Sequence, residues 1–168
     1  MRLLGLDPGL RHTGWGIIES HKDKISWIAS GNISPQPNIT IDKRLFKISS
    51  ELSKIVEEFK PEEAAIEQIF VGINGQSTLK LGMARGVALN TCACFQLSIY
   101  EYEATLVKKA VTGFGRASKE QVFSMIKMLL PGVKCKTEDE SDALAVTICH
   151  SHFANSKLNK LNLDIKKW

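Results

Sequence analysis

Apolar and polar positions along the chain change their period several times, and each change marks an element. Arg2–Asp7 is a short apolar run (Leu3, Leu4, Leu6) that ends on Asp7, with Pro8-Gly9 forcing a turn immediately after it. Thr13–Ser20 and Lys24–Ile33 read as two further strands joined by a short connection, so the first third of the chain predicts an antiparallel meander. The pattern then becomes helical. Leu45, Ile48, Leu52, Ile55, Val56 and Phe59 recur mostly at spacings of three and four, with Asp42 placed to cap the start and Pro61 to end the helix. A strand is expected over Glu63–Gln68. A glycine-containing loop (Gly72, Gly75) follows, then a long helix over Ser77–Cys94 whose Gly82, Ala84, Gly86 and Ala88 permit close approach by another element. Leu97–Tyr102 predicts one more strand. Two or three helices fill Thr105–His152, broken near Gly113–Gly115 and Pro131-Gly132. Three strands followed by alternating helices and strands predict an α/β fold: a mixed, five-stranded sheet with helices on its faces.

The length of 168 residues fits one domain with a core of its own. The expected division is a folded domain over residues 1–153 and a basic, flexible tail over 154–168, where Lys157, Lys160, Lys166 and Lys167 gather. Net charge is only +4, so its distribution carries more than its total. Residues 104–136 hold Lys108, Lys109, Arg116, Lys119, Lys127, Lys134 and Lys136 against the single acid Glu120, and Glu138, Asp139, Glu140 and Asp142 follow at once. A basic surface beside an acidic pocket suits an enzyme that grips a polyanion and cuts it with metal ions. Cys92, Cys94, Cys135 and Cys149 lack CxxC spacing, so they indicate neither a zinc ribbon nor a thioredoxin-like motif and read as reduced thiols. The opening MRLLGLDPG is too short an apolar stretch for a signal peptide, and no run of about 18 apolar residues exists, so the expected location is the cytoplasm.

Four carboxylates stand where chemistry is expected. Ligands of such sheets gather at the C-terminal ends of parallel strands, and Asp7 and Glu67 both fall at predicted strand ends. Asp139 and Asp142 are three apart at the start of the final helix and therefore share a face. A phosphodiester is a poor electrophile surrounded by negative charge. Two divalent cations can activate a water and stabilise the leaving oxygen, and hard cations are held by carboxylates. Each acid also has a plainer explanation. Asp139 or Glu138 would cap a helix, and Asp7 would form the turn before Pro8-Gly9. Glu67 is harder to explain that way, because an acid ending the AAIE strand is costly to bury without a partner.

The ordered series of motifs is more specific than any one of them. LGLDPGLRHTGWGII, AAIEQIF, NGQSTLKLGMARGVAL, VKKAVTGFGRASKEQV and DESDALAVTICHSH resemble, in order and spacing over roughly residues 2–153, the RuvC-type Holliday-junction resolvases. The resemblance implies an RNase H-like fold and a homodimer that resolves four-way DNA junctions, in recombination and repair, by paired symmetric nicks. Mg²⁺ is the implied cofactor, two ions per subunit, with Mn²⁺ able to substitute. By position, Asp7, Glu67, Asp139 and Asp142 match the catalytic metal ligands. Phe70 matches an aromatic that contacts bases at the junction centre, and Lys108 and Lys119 match basic residues near the scissile phosphate. The long Ser77–Cys94 helix matches the dimer-forming helix, and a branch-migration motor is an implied partner. The chain departs from some relatives at Ile73, where they carry Lys.

Read from the residues alone, Phe70 can stack on a base or pack under its loop, and each lysine can meet phosphate or sit on a solvated helix face. His150 and His152 point about 200° apart on a helix and read as packing or surface residues; His12 lies near Asp7 without a fixed role. Three other functions remain to be weighed. An RNase H-like nuclease acting on an RNA–DNA hybrid would use the same carboxylates. An ATPase of the actin and sugar-kinase type shares a DPGLRHTG-like loop, but it needs two domains and a second phosphate loop. A module that binds branched DNA without cutting would not need all four acids.

Overall fold

The computed structural model describes residues 1–22, 24–69, 75–155 and 166–167. Five principal strands, β1 (Arg2–Asp7), β2 (Thr13–His21), β3 (Lys24–Ile33), β4 (Glu63–Glu67) and β5 (Ser98–Tyr102), form one mixed sheet, and a two-residue β6 (Lys166–Lys167) lies at one edge. Their order is β3-β2-β1-β4-β5-β6. The β1–β2 and β2–β3 pairs are antiparallel, as the meander predicts, whereas β1–β4 and β4–β5 are parallel. Five helices connect and cover the strands: α1 (Ile41–Phe59), α2 (Gly75–Cys94), α3 (Ala104–Thr112), α4 (Lys119–Leu129) and α5 (Glu138–Asn155). This is the helix-flanked mixed sheet expected from the sequence, with β6 added. The tail expected over 154–168 lies mostly outside the described residues; within it, Lys166 and Lys167 pair antiparallel with Glu101 and Tyr100. No described helix is long and apolar enough to cross a membrane.

Strand alternation divides the core in two. Leu4, Leu6, Ile17, Ala64 and Ile66 face α1 and α2, packing with Ile48, Leu52, Val56, Ala88 and Cys92. Leu3, Ile18 and Ala65 face the other way, toward α3, α4 and α5. The helical pattern read for α1 is correct in its inner face, but its start differs. Thr40 is the N-cap and Asp42 lies inside the first turn, where it receives a hydrogen bond from Thr40. Cys94 differs from its neighbour in the same helix. It is exposed, while Cys92 and Cys149 are buried, and burial pushes those two thiols up to about 12. All four cysteines are free.

The feature that positions the site is how tightly α5 lies on the sheet. A Cβ on Gly5 would stand 1.9 Å from Thr147 Oγ1 and 2.1 Å from the Ala143 carbonyl oxygen. A Cβ on Gly14 would stand 2.0 Å from the carbonyl oxygen of Asp139. Only hydrogen fits at either place, so glycine in β1 and β2 lets the helix backbone touch the strands. Thr147 Oγ1 donates to Ala143 O at 2.7 Å, which satisfies its hydroxyl within the contact. Gly5→Ala should therefore force α5 outward and destabilise the chain by about 3 kcal/mol, at the upper end of overpacking costs. Urea unfolding measures this, and a loss below about 1 kcal/mol would mean that the helix has slack.

Candidate functional site

The parallel register pairs Leu6 of β1 with Ile66 of β4. Asp7 and Glu67, one residue further on, thus end adjacent parallel strands at the same edge of the sheet. The N-terminus of α5 meets this edge. Gly14, which contacts the Asp139 backbone, is the antiparallel partner of Asp7. Behind Asp7 the turn is pinned from within: Thr13 Oγ1 accepts from Gly9 N at 3.3 Å and donates to Gly9 O at 2.9 Å.

Capping of α5 does not consume Asp139 or Asp142. Thr137 Oγ1 accepts from the backbone N of Glu140 at 3.3 Å and also donates to Glu140 Oε1 at 3.3 Å. Asn32 Nδ2 of β3 donates to the same Thr137 hydroxyl at 2.6 Å. Glu140, nearly buried, accepts further from Ser30 Oγ and from Lys136 N. Thr137 and Glu140 thus do the work that the sequence alone would allow Asp139 or Glu138 to do, and Glu138 is bonded instead to Lys119 Nζ at 2.6 Å.

The carboxylates sense one another. Burial, followed by Asp142, Asp139 and Glu67, pushes Asp7 up to about 7, against the opposing pull of Lys119. Burial and Asp142 raise Glu67, while Lys108 and Lys119 draw it down. Asp142 is raised by burial, then drawn down by Lys119 and raised again by Asp139 and Glu138. The structure therefore brings together Asp7, Glu67, Asp139 and Asp142, with Lys108 and Lys119 beside them. Phe70 lies outside the described residues, as does the loop holding Ile73.

Among the described residues no group of three or more His, Cys, Asp or Glu is placed so that it could hold a metal ion as it stands. The donor chemistry nevertheless fits hard divalent cations. The four carboxylates offer hard oxygen ligands, and burial, followed by repulsion from the other acids, raises Asp7 to about 7, a shift that a cation between them would oppose.

The histidines fall elsewhere. His150 is buried, its Nδ1 bonded to Tyr102 OH at 2.6 Å and its Nε2 to Glu63 at 2.9 Å, at the start of β4 and away from the carboxylate end. It is a packing residue, as expected, and His152 is exposed. His12 Nδ1 shares a hydrogen bond with Ser34 Oγ at 3.0 Å, joining the β1–β2 loop to the segment after β3.

One residue of consequence escaped the sequence reading. Arg85 of α2 is buried, donates from Nη1 to the backbone carbonyl of Glu67 at 2.7 Å, and pairs through Nη2 with the buried Glu101 of β5. It ties the helix to the strand end that carries Glu67. A buried arginine of this kind is costly to lose, because Glu101 would be left unpaired. The only signal for it in the sequence is its place in the inner stripe of α2, next to Ala84 and four residues from Leu81, with Ala88 three residues on.

The raised Asp7 makes stability depend on pH. From about pH 4 to about pH 7 the folded chain keeps a proton that the unfolded chain has released, so stability falls as pH rises through that window. In metal-free buffer, Asp7→Asn should match the natural chain near pH 4 and exceed its stability by roughly 1–3 kcal/mol at pH 8. Thermal melts across pH test this. A difference that does not vary with pH would remove the coupling among these acids.

Comparison with known proteins matches residues 3–150 to the family described as crossover junction endodeoxyribonuclease RuvC. The protein of that name from Paramagnetospirillum magneticum is 51% identical over 152 residues, covering 90% of this chain and 92% of its own. The one from Bradyrhizobium diazoefficiens is 42% identical over 163 residues, covering 97% and 93%. Among solved structures, Thermus thermophilus RuvC in complex with a Holliday junction substrate superposes with a TM-score of 0.89 at 26% identity, covering 100% of this chain and 99% of the other. A sheet edge with four gathered carboxylates, and similarity along nearly the whole length, lead to one conclusion: the chain belongs to the RuvC family of crossover junction endodeoxyribonucleases.

Proposed function

We propose that this chain is a structure-selective endodeoxyribonuclease that resolves four-way DNA junctions by paired, symmetric nicks, hydrolysing one phosphodiester per subunit. The observation that carries the reading is the gathering of Asp7, Glu67, Asp139 and Asp142 at one sheet edge beside Lys108 and Lys119. Its substrate is inferred from the relatives that carry the resolvase name and from the Thermus thermophilus structure described with a Holliday junction.

In this reading Asp7, Glu67, Asp139 and Asp142 hold two Mg²⁺ per subunit, and Mn²⁺ can take their place. Cations bound there supply charge opposite the phosphate and acidify the attacking water. The chain's own groups do the rest. Lys119 sits close enough to lower Asp7, Glu67 and Asp142, and its ammonium, held by Glu138, is placed to meet the negative charge that grows on the phosphate. Lys108 lowers Glu67 and Asp142 from a second side. Attack by water breaks the bond from phosphorus to the 3′ oxygen, leaving a 5′-phosphate and a 3′-hydroxyl. Phe70 is assigned to stacking on a base near the junction centre.

Symmetric nicks call for two sites, and α2 supports a homodimer. Leu79 and Met83 are exposed at 60% and 36%, and the space around Gly82 and Gly86 is open, so α2 presents an apolar outer stripe where a second copy can approach closely. A branch-migration motor that delivers junctions, and a cytoplasmic setting, complete the proposal. Residues 1–153 form the nuclease domain in this reading, and residues 154–168 are its basic tail.

A synthetic four-way junction, a linear duplex and an RNA–DNA hybrid, each with and without Mg²⁺, test the assignment on denaturing gels. The natural chain should nick the junction alone, and only with Mg²⁺. Asp7→Asn should abolish nicking while binding the junction within about twofold of the natural affinity. Lys119→Ala should slow nicking by roughly 10- to 100-fold. Full cleavage by Asp7→Asn, or cutting of the hybrid in preference to the junction, would overturn the reading.

A further inference from the structure

Among the described residues few large apolar side chains are exposed, and one of them has an unusual setting. Leu79 and Met83 belong to the outer stripe of α2, and Ile41, Phe46 and Met128 stand on helix surfaces. Phe114 is 74% exposed and lies in the short loop over residues 113–118, between α3 and α4. The same loop turns Ala117 into the core. It buries its small apolar side chain and holds out its large one.

The ring stands on a pinned turn. Gly113 ends α3 in the left-handed region, at φ 83°, and its N donates to the carbonyl of Lys109 at 2.9 Å. Thr112 Oγ1 accepts from Phe114 N at 3.1 Å and donates to the carbonyl of Lys108 at 2.9 Å. The carbonyl of Phe114 accepts from Ala117 N at 3.3 Å. Gly115 then lies against the first turn of α3, where an added Cβ would stand 3.3 Å from the carbonyl oxygen of Thr105. Ser118 and Gln121 cap each other reciprocally and start α4. The backbone of Phe114 is thus fixed on both sides, and an aromatic presented this way loses little freedom when it meets a partner.

The register places this turn at the carboxylate edge. Tyr102 of β5 is level with Glu67 of β4, and α3 begins two residues later. Thr105, and Gly115 packed on it, therefore lie near that edge. Lys108 before the loop and Lys119 after it both draw Glu67 and Asp142 down, so both flanks reach the site electrostatically. Residues 104–119 carry Lys108, Lys109, Arg116 and Lys119 and no acid. These charges favour a polyanion, and nucleic acid is the polyanion that also offers flat apolar faces.

We infer that Phe114 packs its ring on the face of a base beside the scissile phosphate, on the α3–α4 side of the site. Such a face is open where a branch interrupts the base stack. This rests on the proposed nuclease activity and adds to it a substrate contact. Every base has a face, so the contact fixes where the strand lies without choosing which base is present.

The test is a double-mutant cycle between protein and DNA. Synthetic junctions carry one abasic nucleotide, placed in turn at each position flanking the nicked bond, and affinity is measured in metal-free buffer. On the intact junction Phe114→Ala should bind roughly 5- to 150-fold more weakly, the loss of one base–aromatic stack. Phe114→Tyr should stay within about threefold of the natural affinity, whereas Phe114→Leu, apolar but without a flat ring, should follow Phe114→Ala. At one abasic position the natural chain should lose a similar factor, and Phe114→Ala should lose no more than about twofold further. The salt dependence of Phe114→Ala should stay natural, because no phosphate contact is removed. Natural affinity in Phe114→Ala, losses that multiply at every abasic position, or Phe114→Leu binding as well as Phe114→Tyr overturns the inference. A Phe114→Ala chain that melts early or changes its oligomeric state also overturns it, by assigning the ring to protein packing. If the natural chain prefers another nucleic acid to the junction, the proposed substrate fails instead, and the same cycle on that nucleic acid judges Phe114 separately.

Discussion

The arrangement of the site depends on a backbone contact: α5 rests on β1 and β2 where Gly5 and Gly14 offer no side chain. Protein interiors are packed tightly enough that such a contact cannot be adjusted by a fraction of an ångström without cost. Because Gly14 pairs with Asp7, the same contact that seats the helix brings its first turn to the sheet edge where β1 and β4 end. Two acids then come from strand ends and two from a helix start. The parallel register fixes the first pair and the glycine contact fixes the second.

A cluster assembled this way is electrostatically unfavourable until something positive enters it. Burial and mutual repulsion lift Asp7 to about 7, far above an ordinary aspartate, and raise Glu67 and Asp142 as well. Lys108 and Lys119 offset part of this. The surrounding structure holds the acids in place against repulsion. Arg85 anchors the Glu67 strand end to α2, Thr13 locks the turn after Asp7, and the Thr137–Glu140 cap fixes the start of α5. Stability is given up locally so that four acids remain together, an arrangement that suits function better than folding.

Much of this was legible in the sequence, and what was missed has a common cause. The strands and helices follow from periodicity and from turn residues such as Pro8-Gly9, and the four acids from their strand-end and helix-start places together with the ordered motifs that resemble the family. Hydrophobic period reports which face of an element is buried; it does not report which polar group a buried side chain meets. Arg85 therefore passed unnoticed among the small residues of α2, since its partners Glu67 and Glu101 are 18 and 16 positions away. The capping of α5 was ambiguous because Thr137 is followed by three acids, any of which suits a first turn. Only the bonds to Asn32 and Glu140 decide it. At α1 the conspicuous Asp42 drew the expectation two residues past the true cap, Thr40. Glycines inside strands read as weak points until a helix backbone is seen lying against them.

We propose that these four carboxylates act together in holding cations. Manganese binding, followed by electron paramagnetic resonance of the free ion, tests it most directly. The natural chain should take up two ions, and Asp7→Asn and Asp142→Asn should each lose uptake at the same site although their acids come from different elements. Undiminished uptake by both variants would contradict the account.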